Sequence, residues 1–274
     1  MKKSVSGFIL TLGFCIVLFS GCSKNKTAQS NAPKDAVQAL KSRGALVIGY
    51  DIDFPPLAFK DESGELVGYD VELAKEVAAR MGVELKAIPI NWEDKDNELE
   101  NGDIDCIWSG YTITDARRKA HCLTFAYLAN EQVLIVRKTG SVQKYDDLEG
   151  RVIGYRGASS SEDAINANPS FKNKLADMLT YKDNKSCLED LKVGAIDAMV
   201  MDGVFAYYYV THTNEPFTVI STPLSNEKYC ICFRKSEPDL RNYVEELLTQ
   251  MAVDGTIAEI STKWFGQDVS LIGK

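Results

Sequence analysis

The sequence predicts an α/β fold of two similar lobes, which a strand hinge connects and a ligand cleft separates. From Ala45 onward, strand-like and helix-like segments alternate, which is typical of a mostly parallel sheet covered by helices. The order then restarts, because RVIGYRG at residues 151–157 repeats the strand-and-glycine pattern of LVIGYD at residues 46–51. In addition, GDID at residues 102–105 is echoed by GAID at residues 194–197, each at the start of an apolar strand.

The first half of the chain supplies these elements in order. ALVIGYD, at residues 45–51, is a short buried-strand run, and residues 59–70 form a hairpin with Ser63-Gly64 at its turn. Apolar residues from Val71 to Met81 recur at helical spacing, so this segment is a helix that Gly82 ends. A strand, a short helix and another strand follow at residues 83–90, 96–102 and 103–108.

Two extended segments connect the lobes. Residues 131–138 carry the chain out of the first lobe without a Gly/Pro-rich linker, and residues 227–235 carry it back. The first lobe is therefore discontinuous. Two amphipathic helices within residues 237–266 close it through one apolar stripe, formed by Leu240, Val244, Leu247, Leu248 and Met251.

The N-terminal segment has the character of a secretory signal. Its apolar stretch, from Phe8 to Phe19, is too short to span a bilayer core of about 30 Å as a helix. Ser20-Gly21-Cys22 resembles a bacterial lipoprotein box, in which the cysteine is lipidated; a plain signal peptide with a chance cysteine is the alternative. The predicted boundaries are a signal peptide at 1–21, a flexible tether at 22–37, the first lobe at 38–133, the second lobe at 134–229 and the return to the first lobe at 230–274.

Composition and charge argue against several classes of function. The chain is acidic, with a formal net charge of -8 and no basic patch, so nucleic acid is not an expected partner. The five cysteines after Cys22 form no CxxC pair, and we interpret them as small buried residues rather than a disulfide framework or a zinc site. No catalytic or nucleotide-binding fingerprint occurs. We therefore expect no cofactor, no metal and no catalytic residues.

The predicted cleft consists of loops at the carboxyl ends of strands, where α/β proteins bind their ligands. One of these loops is SGYTITDARR, at residues 109–118. Thr114 is a candidate helix N-cap, and the hydroxyl groups of Ser109 and Thr112 could bind an anion together with nearby N–H groups. Arg117 has the planar fork that fits a carboxylate, and a solvated helix charge is the alternative.

Three further residues lie at strand ends or in strand-end loops. Asp202 ends an apolar strand and could receive an ammonium group, or it could cap the helix that follows. Phe54 lies in a loop that two prolines stiffen, and Trp92 ends another strand. Either ring could face the ligand or belong to the core.

The segment GYDVELAKEVAARMG, at residues 68–82, resembles the signature of the bacterial extracellular solute-binding proteins of family 3, the polar amino acid receptors of ABC importers. The resemblance covers Leu40 to Gly266 and continues in family order through GALVIGYDIDFPPLAF, NGDIDCIWSGYTITDARRK, LEGRVIGYRGASSSEDA, KVGAIDAMVMD and DGTIAEISTKWFG. It implies a periplasmic-binding-protein-like fold of type II, with a strand hinge and an interlobe ligand cleft.

The resemblance also implies how the α-carboxylate of an amino acid is held. Arg117 clamps this carboxylate. The groups that help are the hydroxyl of Thr112 and main-chain groups at Ser109, Gly110 and Ser159.

The rest of the ligand is implied to meet both lobes. Asp202 receives the α-ammonium group, and Phe54 and Trp92 enclose the side chain. Asp51 lies where the family often reads the side chain with an acid, and Ser160 adds a polar contact from the second lobe.

The implied function is that of the extracytoplasmic, lipid-anchored substrate-binding component of an amino acid ABC importer. Such a protein captures a polar α-amino acid by hinge closure and delivers it to a membrane permease, which an ATPase drives. We expect a monomer that is not an enzyme. A cyclohexadienyl-dehydratase-like enzyme on the same fold is the alternative, and the presence of both Arg117 and Asp202 argues against it.

Overall fold

The computed structural model describes residues 35–274. The predicted signal peptide, the lipidation site Cys22 and most of the predicted tether lie outside these residues. The first helix, α1, spans Ala36–Arg43, and the carboxylate of Asp35 caps it by accepting a hydrogen bond from the Gln38 N–H at 3.2 Å. The last two residues of the predicted tether, Ala36 and Val37, are therefore already helical.

Strands and helices alternate through the described part of the chain. The helices after α1 are α2 Tyr69–Met81, α3 Lys95–Asn101, α4 Asp115–Ala120, α5 Ser160–Asn166, α6 Pro169–Lys172, α7 Asn184–Val193, α8 Gly203–His212, α9 Pro238–Val253 and α10 Thr256–Phe265, with a 3-10 helix at Tyr145–Leu148. The strands are β1 Ala45–Tyr50, β2 Phe59–Lys60, β3 Leu66–Val67, β4 Glu84–Pro89, β5 Cys106–Thr112, β6 Cys122–Leu123, β7 Leu128–Arg137, β8 Val152–Arg156, β9 Asp177–Tyr181, β10 Ala198–Asp202, β11 Phe217–Val219 and β12 Ser225–Phe233.

The main sheet has the same arrangement on both sides of its centre. Its strand order is β4-β1-β5-β12-β7-β10-β8-β9, with β6 and β11 as additional pairs of the two central strands. In the first lobe β1 pairs in parallel with β4 and β5, and in the second lobe β8 pairs in parallel with β9 and β10. The two long strands β7 and β12 lie between these groups and pair with each other. The predicted α/β architecture with two lobes and a strand hinge is confirmed.

The two hinge strands change partners along their length. Strand β12 pairs with β7 from Ser225 to Tyr229, and with β5 from Tyr229 to Phe233. Strand β7 pairs with β10 from Gln132 onward. Each hinge strand therefore has one half in each lobe, and rotation of the lobes would bend these strands near Gln132 and Tyr229.

The residues of the internal repeat contact each other in the same way in both lobes. A Cβ added to Gly49 of β1 would lie 2.5 Å from the side chain of Ile104, and one added to Gly154 of β8 would lie 2.6 Å from that of Ile196. Each GxID segment thus packs on the glycine of its own VIGY strand, and a larger residue at either glycine would force the isoleucine away. The close approach explains why both strands carry glycine at this position.

The aspartates of the two GxID segments hold the start of each strand. The Asp105 carboxylate accepts a hydrogen bond from the Val47 N–H at 2.7 Å, and the Asp197 carboxylate accepts one from the Val152 N–H at 3.0 Å. The repeat is therefore a matched pair of structural contacts, one in each lobe.

The helices that close the first lobe are amphipathic, as predicted. All five residues of the predicted stripe on α9 are buried, and α9 packs against α1, α2 and β12. Helix α2 ends at Gly82, whose φ of 73° places it in the left-handed region that glycine favours.

Strand β5 differs from its prediction. The sequence predicted that this strand ends at residue 108 and that a loop begins at Ser109, whereas the strand continues to Thr112. Cys230 of β12 opposes Tyr111 but Cys232 opposes Ile107, so β5 carries extra residues in a bulge. Gly110 lies in this bulge with a φ of 58°. The bulge lets the polar segment stay inside the sheet while its backbone turns toward the cleft.

The cysteines of residues 35–274 are all free thiols. Four of them are buried in the apolar interior, as expected, and Cys122 is half-buried. Within residues 35–274, no helix is both long and apolar enough to cross a membrane.

Candidate functional site

One small cavity between the lobes is lined by all ten residues that the sequence singled out for ligand binding. About 10 Å³ of free space remains inside it, room for about one water molecule, so the two lobes are closed around it. Its lining residues are Asp51, Phe54, Trp92, Ser109, Gly110, Thr112, Arg117, Arg156, Ser159, Ser160, Ser161, Asn184 and Asp202.

Arg117 is held by the protein rather than by solvent. Thr114 caps α4 by accepting a hydrogen bond from the Arg117 N–H, as predicted. The guanidinium group lies 4.2 Å from the centre of the Tyr111 ring and donates to the Thr112 carbonyl at 2.9 Å. One arginine N–H is thus used to fix its direction, and the rest of the fork remains for an anion.

The bulge of β5 places two predicted residues beside this arginine. The Ser109 hydroxyl is buried and has no hydrogen-bond partner among the described residues. Such an oxygen is costly to bury unless a ligand or water meets it. The Gly110 N–H is already engaged, because it donates to the buried Asp70 carboxylate at 3.0 Å and to the Tyr127 hydroxyl at 3.3 Å.

Thr112 and Ser160 connect the lobes through their hydroxyl groups, which lie 3.1 Å apart. Both also reach Glu227 of the hinge strand β12, whose Oε2 accepts from the Thr112 hydroxyl at 3.0 Å and the Ser160 hydroxyl at 3.2 Å. The same oxygen accepts from the side-chain amides of Asn130 and Gln132, each at 3.2 Å. Sequence reasoning missed these three residues of the hinge strands.

Asp202 faces the cleft instead of capping α8. Its Oδ1 accepts hydrogen bonds from Asn130 at 2.8 Å, Gln132 at 3.0 Å and the Tyr229 hydroxyl at 2.6 Å, and its side chain makes no capping bond. Burial, followed by the charge of Glu227, raises the pKa of Asp202 to about 7. A carboxyl group in this state becomes fully ionised when a cation joins it.

Phe54 and Trp92 are both buried at the cavity. The Phe54 ring contacts Phe205 of α8 with centroids 5.6 Å apart, so it packs across the two lobes. The Trp92 ring meets Tyr111 edge-on at 6.3 Å, and its indole N–H has no partner among the described residues. Each ring therefore serves the core with one face and lines the cavity with another part of its surface.

Ser159 acts within its own lobe. Its hydroxyl caps α5 by accepting from the Ser161 N–H at 3.3 Å and donates to the Arg156 carbonyl at 2.6 Å. The side chain is thus occupied, so a contact of Ser159 with a ligand would have to come from its main chain.

Asp51 is already paired with a cation of the second lobe. Arg156, at the end of β8, forms a two-pronged ion pair with it, in which one nitrogen donates to Oδ1 at 3.0 Å and another contacts Oδ2. Both side chains are buried, and the guanidinium lies 5.3 Å from the centre of the Trp92 ring. Burial raises the pKa of Asp51, and the charge of Arg156 opposes the rise. Sequence reasoning missed Arg156, although its place after the repeated VIGY letters matches that of Asp51.

Lys95 makes another contact between the lobes. Its ammonium donates to the carbonyls of Trp92 at 3.0 Å and of Ala158 in the second lobe at 3.2 Å. Burial, followed by the nearby charge of Arg117, lowers the pKa of Lys95 to about 8. The wall around Trp92 is therefore rich in cations, a suitable surrounding for carboxylates.

The profile of the bacterial extracellular solute-binding proteins, family 3, matches residues 46–267. The chain belongs to this family. The L-cystine-binding protein TcyJ of Escherichia coli K12 is 30% identical over 257 residues, which cover 93% of this chain and 94% of that protein. A histidine-bound substrate-binding protein of an ABC uptake transporter from Streptococcus pneumoniae superimposes with a TM-score of 0.82 at 32% identity, and covers 86% of this chain and 98% of its own.

A third similar structure bears on the enzyme alternative. The ancestral amino acid-binding protein AncCDT-1, described as a precursor of cyclohexadienyl dehydratase, has a TM-score of 0.76 at 30% identity, with coverage of 84% of this chain and 99% of its own. The fold is thus the type II periplasmic-binding-protein-like fold, and the function is that of the substrate-binding component of an amino acid ABC importer. Family members work outside the cytoplasm.

Proposed function

We propose that the cleft binds the α-amino and α-carboxylate groups of one amino acid between Arg117 and Asp202. The single observation that carries this proposal is that an arginine of the first lobe and an aspartate of the second lobe line the same closed cavity. Arg117 binds the carboxylate together with the Thr112 hydroxyl, the Ser160 hydroxyl and main-chain groups of the β5 bulge. Asp202 binds the ammonium, and Phe54 and Trp92 enclose the side chain.

The proposed mechanism is closure of the lobes on this ligand. Thr112 with Ser160, Asp51 with Arg156, and Lys95 with Ala158 meet only when the lobes are together. A ligand whose two charges are bound by opposite lobes adds contacts to the closed state alone, and so shifts the hinge equilibrium toward it. The closed form is then delivered to the permease.

We also propose that the protein is a monomer anchored outside the membrane by a lipid on Cys22, with residues up to Asp35 as the tether. The support is the lipoprotein-like SGC sequence after an apolar segment. Metabolic labelling with a radioactive fatty acid tests this anchor, and Cys22→Ala should abolish both the label and the membrane association.

The test of the binding function is isothermal calorimetry of the ligand-free protein with the common amino acids and cystine. Arg117→Ala should lose at least about a hundredfold in affinity for every ligand, because two charge-assisted hydrogen bonds of about 1.5–3 kcal/mol each disappear. Arg118→Ala, on the same helix but exposed, is the matched control. Unchanged affinity in the Arg117 variant would refute the proposed clamp.

The enzyme alternative predicts a different result. We propose a binding protein without turnover, supported by relatives that are binding proteins and by a cleft that holds both parts of an amino acid clamp. Incubation with prephenate and with arogenate should leave both compounds unchanged. Formation of a dehydrated aromatic product, lost in Glu227→Gln or Asp202→Asn, would establish the enzyme instead.

A further inference from the structure

Two arginines lie at the two ends of one pair of aromatic rings. Arg117 stacks on Tyr111 at 4.2 Å, Tyr111 meets Trp92 at 6.3 Å, and Arg156 lies over Trp92 at 5.3 Å. Arg117 is the proposed carboxylate clamp. The second arginine therefore gives the cavity a second cationic end, beyond the ring that encloses the ligand side chain.

Each of these arginines is accompanied by an aspartate from the opposite lobe. Asp202 of the second lobe lines the cavity with Arg117 of the first, and Asp51 of the first lobe binds Arg156 of the second. The cavity thus has a cation and an anion at each end. At the far end the two charges neutralise each other, whereas at the near end they stand ready for a zwitterion.

The ion pair of Asp51 and Arg156 also borders a larger space. A second cavity of about 500 Å³, open to solvent, has both residues in its wall together with residues of α7, α8 and the β1–β2 loop. The pair therefore separates the small ligand cavity from a roomy outer one. A ligand that extends from the small cavity past these two residues into the outer one must part or displace this pair.

Charge decides which ligands can displace it. Asp51 is 5% exposed and Arg156 is 9% exposed, so each charge is largely shielded from water and depends on its partner for compensation. A ligand with one distal cation would bind Asp51 and leave Arg156 unpaired, and a ligand with one distal anion would do the reverse. Either of these ligands is expected to bind at least about a hundredfold more weakly than a ligand that pairs with both charges.

We propose that the site takes an amino acid with two zwitterionic heads joined by a short spacer, the chemical class of which L-cystine is the simplest disulfide. The distal carboxylate binds Arg156 and the distal ammonium binds Asp51, so two ion pairs replace one and no charge is left alone. This proposal rests on the proposed function, because Arg117 and Asp202 hold the first head.

The spacer of such a ligand suits the rings between the two ends. The α-carbons across a disulfide lie about 5.5 Å apart, and sulfur makes favourable contacts with aromatic rings such as Trp92. The Nε of Arg156 has no partner among the described residues, which gives the distal carboxylate one more donor. The identity of the Escherichia coli relative as an L-cystine-binding protein agrees with this class.

The experiment compares two-headed and one-headed ligands by calorimetry of the full chain without bound ligand. L-cystine and the thioether L-cystathionine carry two heads, S-methyl-L-cysteine carries one, and L-arginine carries a distal cation. We expect the two-headed ligands to bind at least about a hundredfold more tightly than S-methyl-L-cysteine, with L-arginine weakest.

Variants test whether the ion pair of Asp51 and Arg156 causes the preference for two-headed ligands. Arg156→Gln should lose the preference for L-cystine and gain at least about tenfold in affinity for L-arginine, because Asp51 is freed for a ligand cation. The double variant D51N/R156Q, which removes both charges together, should bind L-cystine and S-methyl-L-cysteine about equally. Arg151→Gln, at a half-buried arginine of the same lobe that pairs with Asp197, is the matched control and should keep the preference.

The outcomes separate this proposal from the one on which it rests. Binding of S-methyl-L-cysteine as tight as that of L-cystine, or an undiminished preference in Arg156→Gln, would overturn the second subsite and leave the amino acid clamp standing. Failure of every amino acid to bind the unmodified protein would overturn both. Retained affinity for S-methyl-L-cysteine in the two variants shows that their first subsite is folded.

Discussion

Affinity for the ligand should fall in acid solution, because below about pH 7 the ligand-free protein holds Asp202, the proposed ammonium-binding residue, protonated. Burial and the charge of Glu227 raise the pKa of Asp202 to about 7. A protonated carboxyl forms no ion pair with the ligand ammonium, so binding must first ionise it. Below the pKa we expect affinity to fall about tenfold for each pH unit, and above it to become constant.

Asp202 also affects the stability of the ligand-free protein. Its contribution to stability falls as the pH rises, whereas the affinity for the ligand increases. An unfolded aspartate ionises near about 3.9, whereas Asp202 in the folded protein remains protonated up to about 7. Unfolding in this window releases a proton, so the contribution of Asp202 to stability decreases as the pH rises from about 4 to about 7. The ligand pairs with the ionised form, and the increase in melting temperature that it causes should therefore grow over this window.

Calorimetric titrations from about pH 5 to about pH 8, in two buffers of different ionisation enthalpy, measure both the affinity and the protons released on binding. Glu227→Gln should move the fall in affinity to lower pH, because the neighbouring negative charge is removed while an amide oxygen still accepts hydrogen bonds. Asp202→Asn should bind weakly with little pH dependence in this range. An affinity of the unmodified protein that stays constant throughout would refute the reasoning.

Three further predictions concern the support of the site. Gly110→Ala should weaken ligand binding and destabilise the protein by about 1–3 kcal/mol in chemical denaturation, because its φ is 58° and the new methyl group would lie 3.0 Å from Phe54. Tyr127→Phe should cost about 1–3 kcal/mol of unfolding free energy, since it removes the 2.8 Å hydrogen bond to the buried Asp70. Tyr243→Phe, at a half-buried tyrosine of α9, is its control. In the native protein a thiol reagent should modify four cysteines only slowly, because burial raises the pKa of their thiols. These residues are Cys106, Cys187, Cys230 and Cys232. Rapid modification of all four in the native protein would contradict this packing.

Much of the fold follows from local sequence. The helix at residues 69–81 is encoded by apolar spacing and a terminal glycine, and β1 is encoded by a short apolar run. The bulge in β5 could not be anticipated, because it depends on which residues of β12 lie opposite Tyr111 and Ile107. Register of this kind is set by a partner strand more than a hundred residues away in sequence.

The same distinction separates the site residues that sequence indicates from those that it does not. Asp202 ends β10, and Arg117 lies in the helix that follows the end of β5. The fold places ligands beyond such strand ends, so the positions of both residues are visible without coordinates. Glu227, Asn130 and Gln132 lie within the hinge strands, among residues that alternate between two faces. Only the pairing of β7 with β12 shows that all three point to the ligand side.

Arg156 is an intermediate case, because the internal repeat contains the information needed to find it. Asp51 and Arg156 follow the same VIGY letters in two lobes that have the same strand order about the central pair. Strands related in this way have their carboxyl ends at the same cleft, so residues that follow them meet when the lobes close. An acid in one repeat and a base in the other therefore predict an ion pair across the cleft. In a chain of this design, opposite charges at repeat-related strand ends therefore predict a closing contact, and the proposed two-headed ligand would replace that contact with its own charges.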